Sequence, residues 1–401
     1  MKTRMTFGLL VSIIVGIAPV QGQSNATAVS AFQNPARSVE EPVRDRSAIE
    51  SPFIQTPVIS SSDPQRSVPA LSTLETTPTS PPATQANAGA FNARGMAGLG
   101  GGMGGAMGGF GSNGGPGYMV TWSPQRPVSG TNDSLWLVRQ SANAGVPLYL
   151  EGSDTLFVTT SVRNTQIGST ATLPDSKQLF PSDLWSISLG LRGTHKLENG
   201  WTVMGMTSFG SASDQPFASI REMNVTLLGA VMIPARNERD LWLVSVMYNP
   251  AGNLNFPIPG LAYVWNPNES LRINIGIPFS VEWKPTDDLT LNASYFPLTN
   301  ITTRATYRIA PKLFAYAGYE FLNEAYFLRD RINDRDRFML FEQRLIVGVR
   351  YNLTQSLALD TNAGYSFGRY FAEGINQGGS QTDRVDVAPG AFLGLALRGR
   401  F

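Results

Sequence analysis

From residue 118 to residue 401 apolar and polar residues alternate at period two in run after run, and no feature constrains the fold more. In Leu271–Ile277 the apolar set is Leu271, Ile273, Ile275 and Ile277, against Arg272, Asn274 and Gly276. Leu345, Val347, Val349, Tyr351 and Leu353 oppose Ile346, Gly348, Arg350 and Asn352 in the same way. A pleated strand turns successive side chains to opposite faces, so each run has one apolar and one hydrophilic face. No 3.6-residue stripe is sustained there. Only 15% of the residues are charged, against roughly 25% in soluble domains. Mean hydropathy is −0.09, too low for a bundle of membrane helices.

The turns repeat as well. Trp265-Asn-Pro-Asn-Glu-Ser-Leu271, Trp283-Lys-Pro-Thr-Asp-Asp-Leu289, Tyr307-Arg-Ile-Ala-Pro-Lys-Leu313 and Tyr351-Asn-Leu-Thr-Gln-Ser-Leu357 share one layout. An aromatic ends a strand, a polar turn follows, and Leu opens the next strand six positions on. His195-Lys-Leu-Glu-Asn-Gly-Trp201 keeps that spacing. Aromatics at strand ends suit a membrane–water interface, where one ring edge is dry and the other wet. At the opposite strand ends, 322–337 and 371–388 read as long polar loops and 297–299 as a tight turn. The expectation is an all-β, antiparallel, up-and-down transmembrane barrel over 118–401, with short turns at one end and longer loops at the other. Counted from residue 154 it has fourteen strands, or twelve if pieces as short as 279–284 do not span. Leu393, Leu395 and Leu397 alternate with Gly394, Ala396 and Arg398 before the final Phe401. This looks like the terminal-strand signal that barrel assembly machinery recognises, with Gly399 a departure from it.

Residues 1–22 read as a cleaved export signal: Lys2 and Arg4, an apolar stretch Phe7–Ala18, then Val20-Gln21-Gly22. Residues 23–94, rich in Ser, Thr, Pro, Gln and Ala, lack the apolar content to offset the entropy of ordering and read as disordered. Residues 95–117 form a glycine-rich linker, GMAGLGGGMGGAMGGFGSNGGPG. With no strand before it and no helix after it, this is no phosphate loop. A tail of this length reaches roughly 50–60 Å, far enough to touch peptidoglycan.

The stretch Leu241-Trp-Leu-Val-Ser-Val-Met-Tyr-Asn-Pro, then Asn255-Phe-Pro-Ile-Pro-Gly-Leu-Ala-Tyr-Val-Trp265, Ile277-Pro-Phe-Ser and Tyr295-Phe-Pro-Leu resembles an uncharacterised bacterial family. That family is a domain of unknown function about the length of residues 135–401, regarded as an outer-membrane-type barrel. The PIPG and GIPFS pieces carry most of the resemblance. It implies the fold and brings no catalytic motif.

Chemistry is thinly represented. There is no cysteine, and therefore no thiolate nucleophile or thiolate metal site, and one histidine, His195. His195 falls in a short turn, so no catalytic residue, metal or cofactor is expected and the chain is not read as an enzyme. Net charge of +1 argues against nucleic acid. Arg329-Asp-Arg-Ile-Asn-Asp-Arg-Asp-Arg337 reads as a self-paired loop, its arginines a secondary candidate for lipopolysaccharide phosphate. With the apolar sets facing lipid, Arg192, Arg272, Arg304, Arg308, Arg344, Arg350, Arg398 and Arg400 face the lumen, with Glu282, Glu320, Glu342 and Asp360. This excess of arginine favours anions. Trp265, Trp283, Tyr307, Tyr351 and Phe401 are the interface aromatics. Two functions follow: a porin-like channel for small hydrophilic, anionic solutes, or a closed anchoring barrel whose tail or loops bind peptidoglycan or surface partners. A third reading, a secreted soluble protein of two packed sheets, requires the apolar faces to cover one another.

Overall fold

The computed structural model describes residues 116–235, 239–249, 256–296, 300–376 and 379–399. The segments read as an export signal (1–22) and a disordered tail (23–94), the linker up to residue 115, the 297–299 turn, Arg400 and Phe401 lie outside the described residues.

The strands are β1 (Gly117–Pro127), β2 (Ser134–Glu151), β3 (Asp154–Ser169), β4 (Asp183–Lys196), β5 (Thr202–Ser213), β6 (Met223–Pro234), β7 (Leu241–Tyr248) and β8 (Ile258–Asn268). Then follow β9 (Leu271–Gly276), β10 (Phe279–Trp283), β11 (Leu289–Phe296), β12 (Asn300–Ala310), β13 (Leu313–Tyr326), β14 (Arg337–Asn352), β15 (Leu357–Gly374), β16 (Gln381–Val387) and β17 (Gly390–Gly399). From β1 to β16 each pairs antiparallel with the next, β15 pairs also with β17, and β17 pairs with β1 in the register Gly117↔Arg398 to Trp122↔Leu393. The ring is closed with sixteen staves. β16 extends the β17 stave and pairs with the far end of β15. The two are parted at Ala388-Pro389, where proline has no N–H to give to a ladder.

Sixteen corrects the expected twelve to fourteen. All fourteen runs counted from residue 154 are strands, and the two missed staves are β1 and β2. The loops 322–337 and 371–388 shrink to 327–336 and 375–380, because β13, β14, β15 and β16 climb into them. Connections at one end span at most the six residues 235–240; those at the other include 170–182, 214–222, 249–257 and 327–336. Side chains close the short turns. The Asn268 carboxamide oxygen accepts from the N–H of Ser270 (3.0 Å) and Leu271 (2.9 Å), and Thr286 Oγ1 accepts from Leu289 N–H (3.1 Å).

The apolar faces point out. Val347 is 58% exposed, Leu393 55% and Leu189 60%, so no second sheet covers them among the described residues, and the soluble two-sheet reading fails. Trp265, Trp283, Tyr307 and Tyr351 stand exposed at the short-turn end. At the long-loop end the band stops. Arg384 and Asp386 form an exposed outward pair there, 3.0 Å apart on β16.

At that end opposite walls also meet. Ser213 of β5 bridges Phe327, just past β13, and Phe327 N–H donates to Ala212 O at 2.7 Å. These two strands lie eight places apart around the ring of sixteen. Between them sits an inward apolar core containing Leu135, Leu137, Phe180, Leu184, Phe338, Leu340 and Phe371. Phe180 meets Phe338 and Phe371 edge-on, with ring centroids 6.1 and 5.3 Å away.

Candidate functional site

The candidate site is the lumen. Below the apolar plug lies a fully buried carboxylate, Glu342 of β14. Arg139 of β2 donates to it at 2.6 Å, Arg344 of β14 at 2.8 Å, and Arg369 of β15 through Nε at 3.1 Å and through Nη2. Arg369 also donates to Ser123 (3.1 Å) and Ser366 (2.9 Å). A second carboxylate, Glu324 of β13, pairs with Arg163 of β3 at 3.0 Å and with Arg139 at 3.7 Å, and accepts from Tyr326 Oη at 3.1 Å. β3 and β13 are six places apart around the ring, so these bonds cross the lumen.

Towards the short-turn end a second cluster surrounds Asp360, also fully buried. It accepts from Tyr316 Oη and from Arg350 Nε at 3.1 Å, with Arg398 Nε at 3.7 Å. Arg304 lies 4.5 Å over the Tyr316 ring and 3.2 Å from Glu320. Arg344 lies 4.9 Å over Phe392. The lumen between β12 and β3 is thus filled, from the long-loop end downwards, by an apolar layer, an ionic layer, aromatics and a second ionic layer.

Arg304, Arg344, Arg350, Arg398, Glu320, Glu342 and Asp360 come together in this way, on the inward faces of their strands. Arg192 of β4, Arg272 of β9 and Glu282 of β10 occupy the inward faces of other sectors; Glu282 pairs with Lys284 at 3.0 Å. Arg308 sits on the inward alternation but at the rim, 43% exposed and bound to Asp288 at 2.7 Å, because its strand ends two residues later. Arg400 lies outside the described residues. The centre of the network, Arg139, Arg163, Glu324 and Arg369, was missed by the sequence reading.

Two other singled-out features are spent locally. His195 belongs to the end of β4 rather than to a turn, and its Nδ1 lies 2.7 Å from Asp154 Oδ2, with the histidine side chain 62% exposed. The Lys196 N–H and then His195 hold the Asp154 carboxyl below its usual range. In the loop after β13, Arg329 Nη1 donates to Gln215 Oε1 (2.5 Å), its N–H donates to Asp214 (3.0 Å), and Arg331 Nη2 donates to Arg221 O (3.0 Å). Those arginines tie one loop to another across the mouth. Among the described residues no cluster of three or more His, Asp or Glu can hold a metal ion.

The resemblance motifs meet in space. A Cβ on Gly276, whose φ is +146°, would lie 2.1 Å from Leu261 O, and one on Gly260 would lie 2.7 Å from Ile277 O. PIPG and GIPFS are therefore the two sides of one backbone contact, where the β9–β10 corner packs on the start of β8 and only glycine fits.

Solved structures similar to this chain include the beta domain of a Bordetella autotransporter, BrkA (10% identity, 72% of this chain and all of that one, TM-score 0.29). An outer membrane channel from Pseudomonas putida F1 matches at 12% identity over 72% of this chain and 96% of that one, with a TM-score of 0.32. The transport unit of the Escherichia coli autotransporter AIDA-I matches at 10% over 72% and 90%, with a TM-score of 0.28. Likeness this remote says nothing of what this barrel carries or holds. No curated protein matches. Residues 160–374, just over half of the chain, match one family throughout, and the chain belongs to it: the domain of unknown function DUF6268.

Proposed function

We propose that this protein is a bacterial outer-membrane barrel that holds its lumen shut, an anchoring wall rather than a standing pore. One observation carries the reading: Glu342, with no exposed surface, is bound by arginines from three strands, and the neighbouring ion pairs cross the lumen. An uncovered apolar outer face and the export signal read at residues 1–22 support the location. On this reading the wall contacts lipid, and assembly through a terminal strand ending at Phe401 and peptidoglycan contact through the tail are its further partners.

A second reading, a porin-like channel for small anionic solutes, is favoured by one observation. Arg139, Arg163, Arg192, Arg272, Arg304, Arg344, Arg350, Arg369 and Arg398 face inward against Glu282, Glu320, Glu324, Glu342 and Asp360, a surplus of positive charge. Recording the full protein in planar bilayers with ion substitution separates the two. A closed barrel gives no open steps, a channel of the second kind gives anion-selective ones, and cation-selective steps would overturn both.

A further inference from the structure

The middle of the inward wall of β5, β6 and β7 is apolar, as the outward wall is there; Thr202, Ser208 and Thr226 bound it and Ser245 is its one polar position. Met204, Met206, Leu228, Met232, Leu243 and Met247 form one buried cluster there. The register sets Met206 opposite Leu228, Leu228 opposite Met247, and Met232 opposite Leu243. The outward Val203, Leu227 and Val244 are apolar and exposed. A barrel wall needs only one apolar face, and this sector has two.

Something apolar must face the inner one, since such surface left in water costs about 25 cal/mol per Å². The rest of the ring supplies little. β8 continues the wall with Ala262 and Val264, and from beyond it only Phe296 of β11 joins the cluster among the described residues. Inward positions on the strands that follow are polar: Asn274, Glu282, Asn292, Thr302 and Arg304.

We propose that the glycine-rich segment 95–115 of this same chain occupies the lumen against the methionine wall. The segment carries no charge, and its large apolar residues are Met96, Leu99, Met103, Met107 and Phe110. They recur every three or four residues, so apolar side chains are spread along the whole segment. Methionine on both surfaces adapts to an irregular gap. The glycines between them make the segment slender enough to share a lumen already half filled.

Its point of entry is set. Gly399 N–H donates to Pro116 O at 2.6 Å and Gly117 pairs with Arg398, so residue 115 leaves from the short-turn mouth. Twenty-one residues span at most about 70–75 Å extended, ample to reach any point on the wall. Tethering gives the segment an effective concentration on the order of millimolar, which a free apolar solute would have to exceed.

The absence of cysteine in the chain makes the test clean. Met206→Cys is placed in the full protein and in the protein lacking residues 96–113, both folded in detergent and labelled with a charged maleimide. The full protein should label roughly tenfold or more slowly than the deletion. Equal rates, fast or slow, overturn the proposal: fast means a wet wall, slow means a cover from elsewhere. Should the deletion fail to fold, the doubly substituted full chain Met103→Cys/Met206→Cys decides. A short bismaleimide should join the two within one molecule, and should leave Met103→Cys/Thr303→Cys, on the outward face, unjoined. No intramolecular product in the first pair would overturn the proposal. Neither readout depends on conductance or on the membrane, so failure here leaves the closed-barrel reading to stand or fall separately.

Discussion

A carboxylate taken wholly out of water stays charged only where cations replace its hydration. Arg139, Arg344 and Arg369 do this for Glu342, and the dependence is mutual, since three guanidinium groups are buried around one anion. Glu342→Gln leaves them without it and should cost about 3–5 kcal/mol, read as the urea midpoint of the folded protein in detergent. A loss within 1 kcal/mol would mean that Glu324 alone neutralises the cluster. Glu373 presents the opposite case. It lies on β15 above the Gly368 bulge, level with the charged outward pair on β16 and so clear of the apolar band. Burial first, then Asp383, Asp330 and Asp336, push its carboxyl up to about 7. A folded-state value raised above the unfolded one gives stability that is complete below about 4.3 and is lost as pH rises through 7. Thermal midpoints should therefore fall between pH 5 and pH 8, and Glu373→Gln should flatten that part of the profile. An unchanged slope in the variant would assign the dependence to another group.

The strand that shows alternation is the strand a reader of the sequence finds, and β3 to β15 together with β17 were legible for that reason. Trp265, Trp283, Tyr307 and Tyr351 were legible as strand-end aromatics because each stands six residues before the Leu that opens the next strand. β2 was not legible, because Arg139-Gln-Ser-Ala-Asn-Ala-Gly145 is small or polar on both faces and has no period to detect. The same gap concealed Arg139. Arg369 was hidden by the bulge at Gly368, with its φ of +56°, which shifts the register so that counting by twos from Asp360 no longer finds the inward face. Glu324 sat in residues polar enough to pass for a loop. The plug was hidden differently: Phe338-Met-Leu-Phe341 is apolar throughout, and periodicity cannot tell which of its faces meets lipid and which a dry interior. Corners are more exacting than strands. Gly276→Ala puts a methyl 2.1 Å from Leu261 O at a φ only glycine tolerates, and should cost at least about 2 kcal/mol, with loss of the heat-modifiable band on gels. Gly205→Ala, with nothing within 4 Å of the added carbon, should leave that band intact. Equal behaviour of the two would refute the corner as the reason for the shared glycines.

The closed ring has its wet and dry sides reversed relative to a soluble protein: Val347 is 58% exposed and Glu342 is not exposed at all. Such an inversion is stable only if the outer solvent is hydrocarbon, because contiguous exposed apolar surface of this extent drives association in water. The inference concerns the whole molecule, and a single outward position can test it. Val347 stands near the middle of β14, flanked by Leu345 and Val349 on the same face. Val347→Arg should lower the stability of the bilayer-inserted barrel by about 2–4 kcal/mol, read from urea titrations in vesicles. Thr303→Arg, outward on β12 in the same band, should behave alike, and both penalties should shrink for Tyr351→Arg at the girdle, where the side chain reaches water. Thr306→Arg, on the inward alternation among Arg304 and Arg308, is the internal control and should cost less than either mid-band change. A flat response with depth would mean that protein or water, and not lipid, lies against this face, and the outer-membrane placement would fall with it.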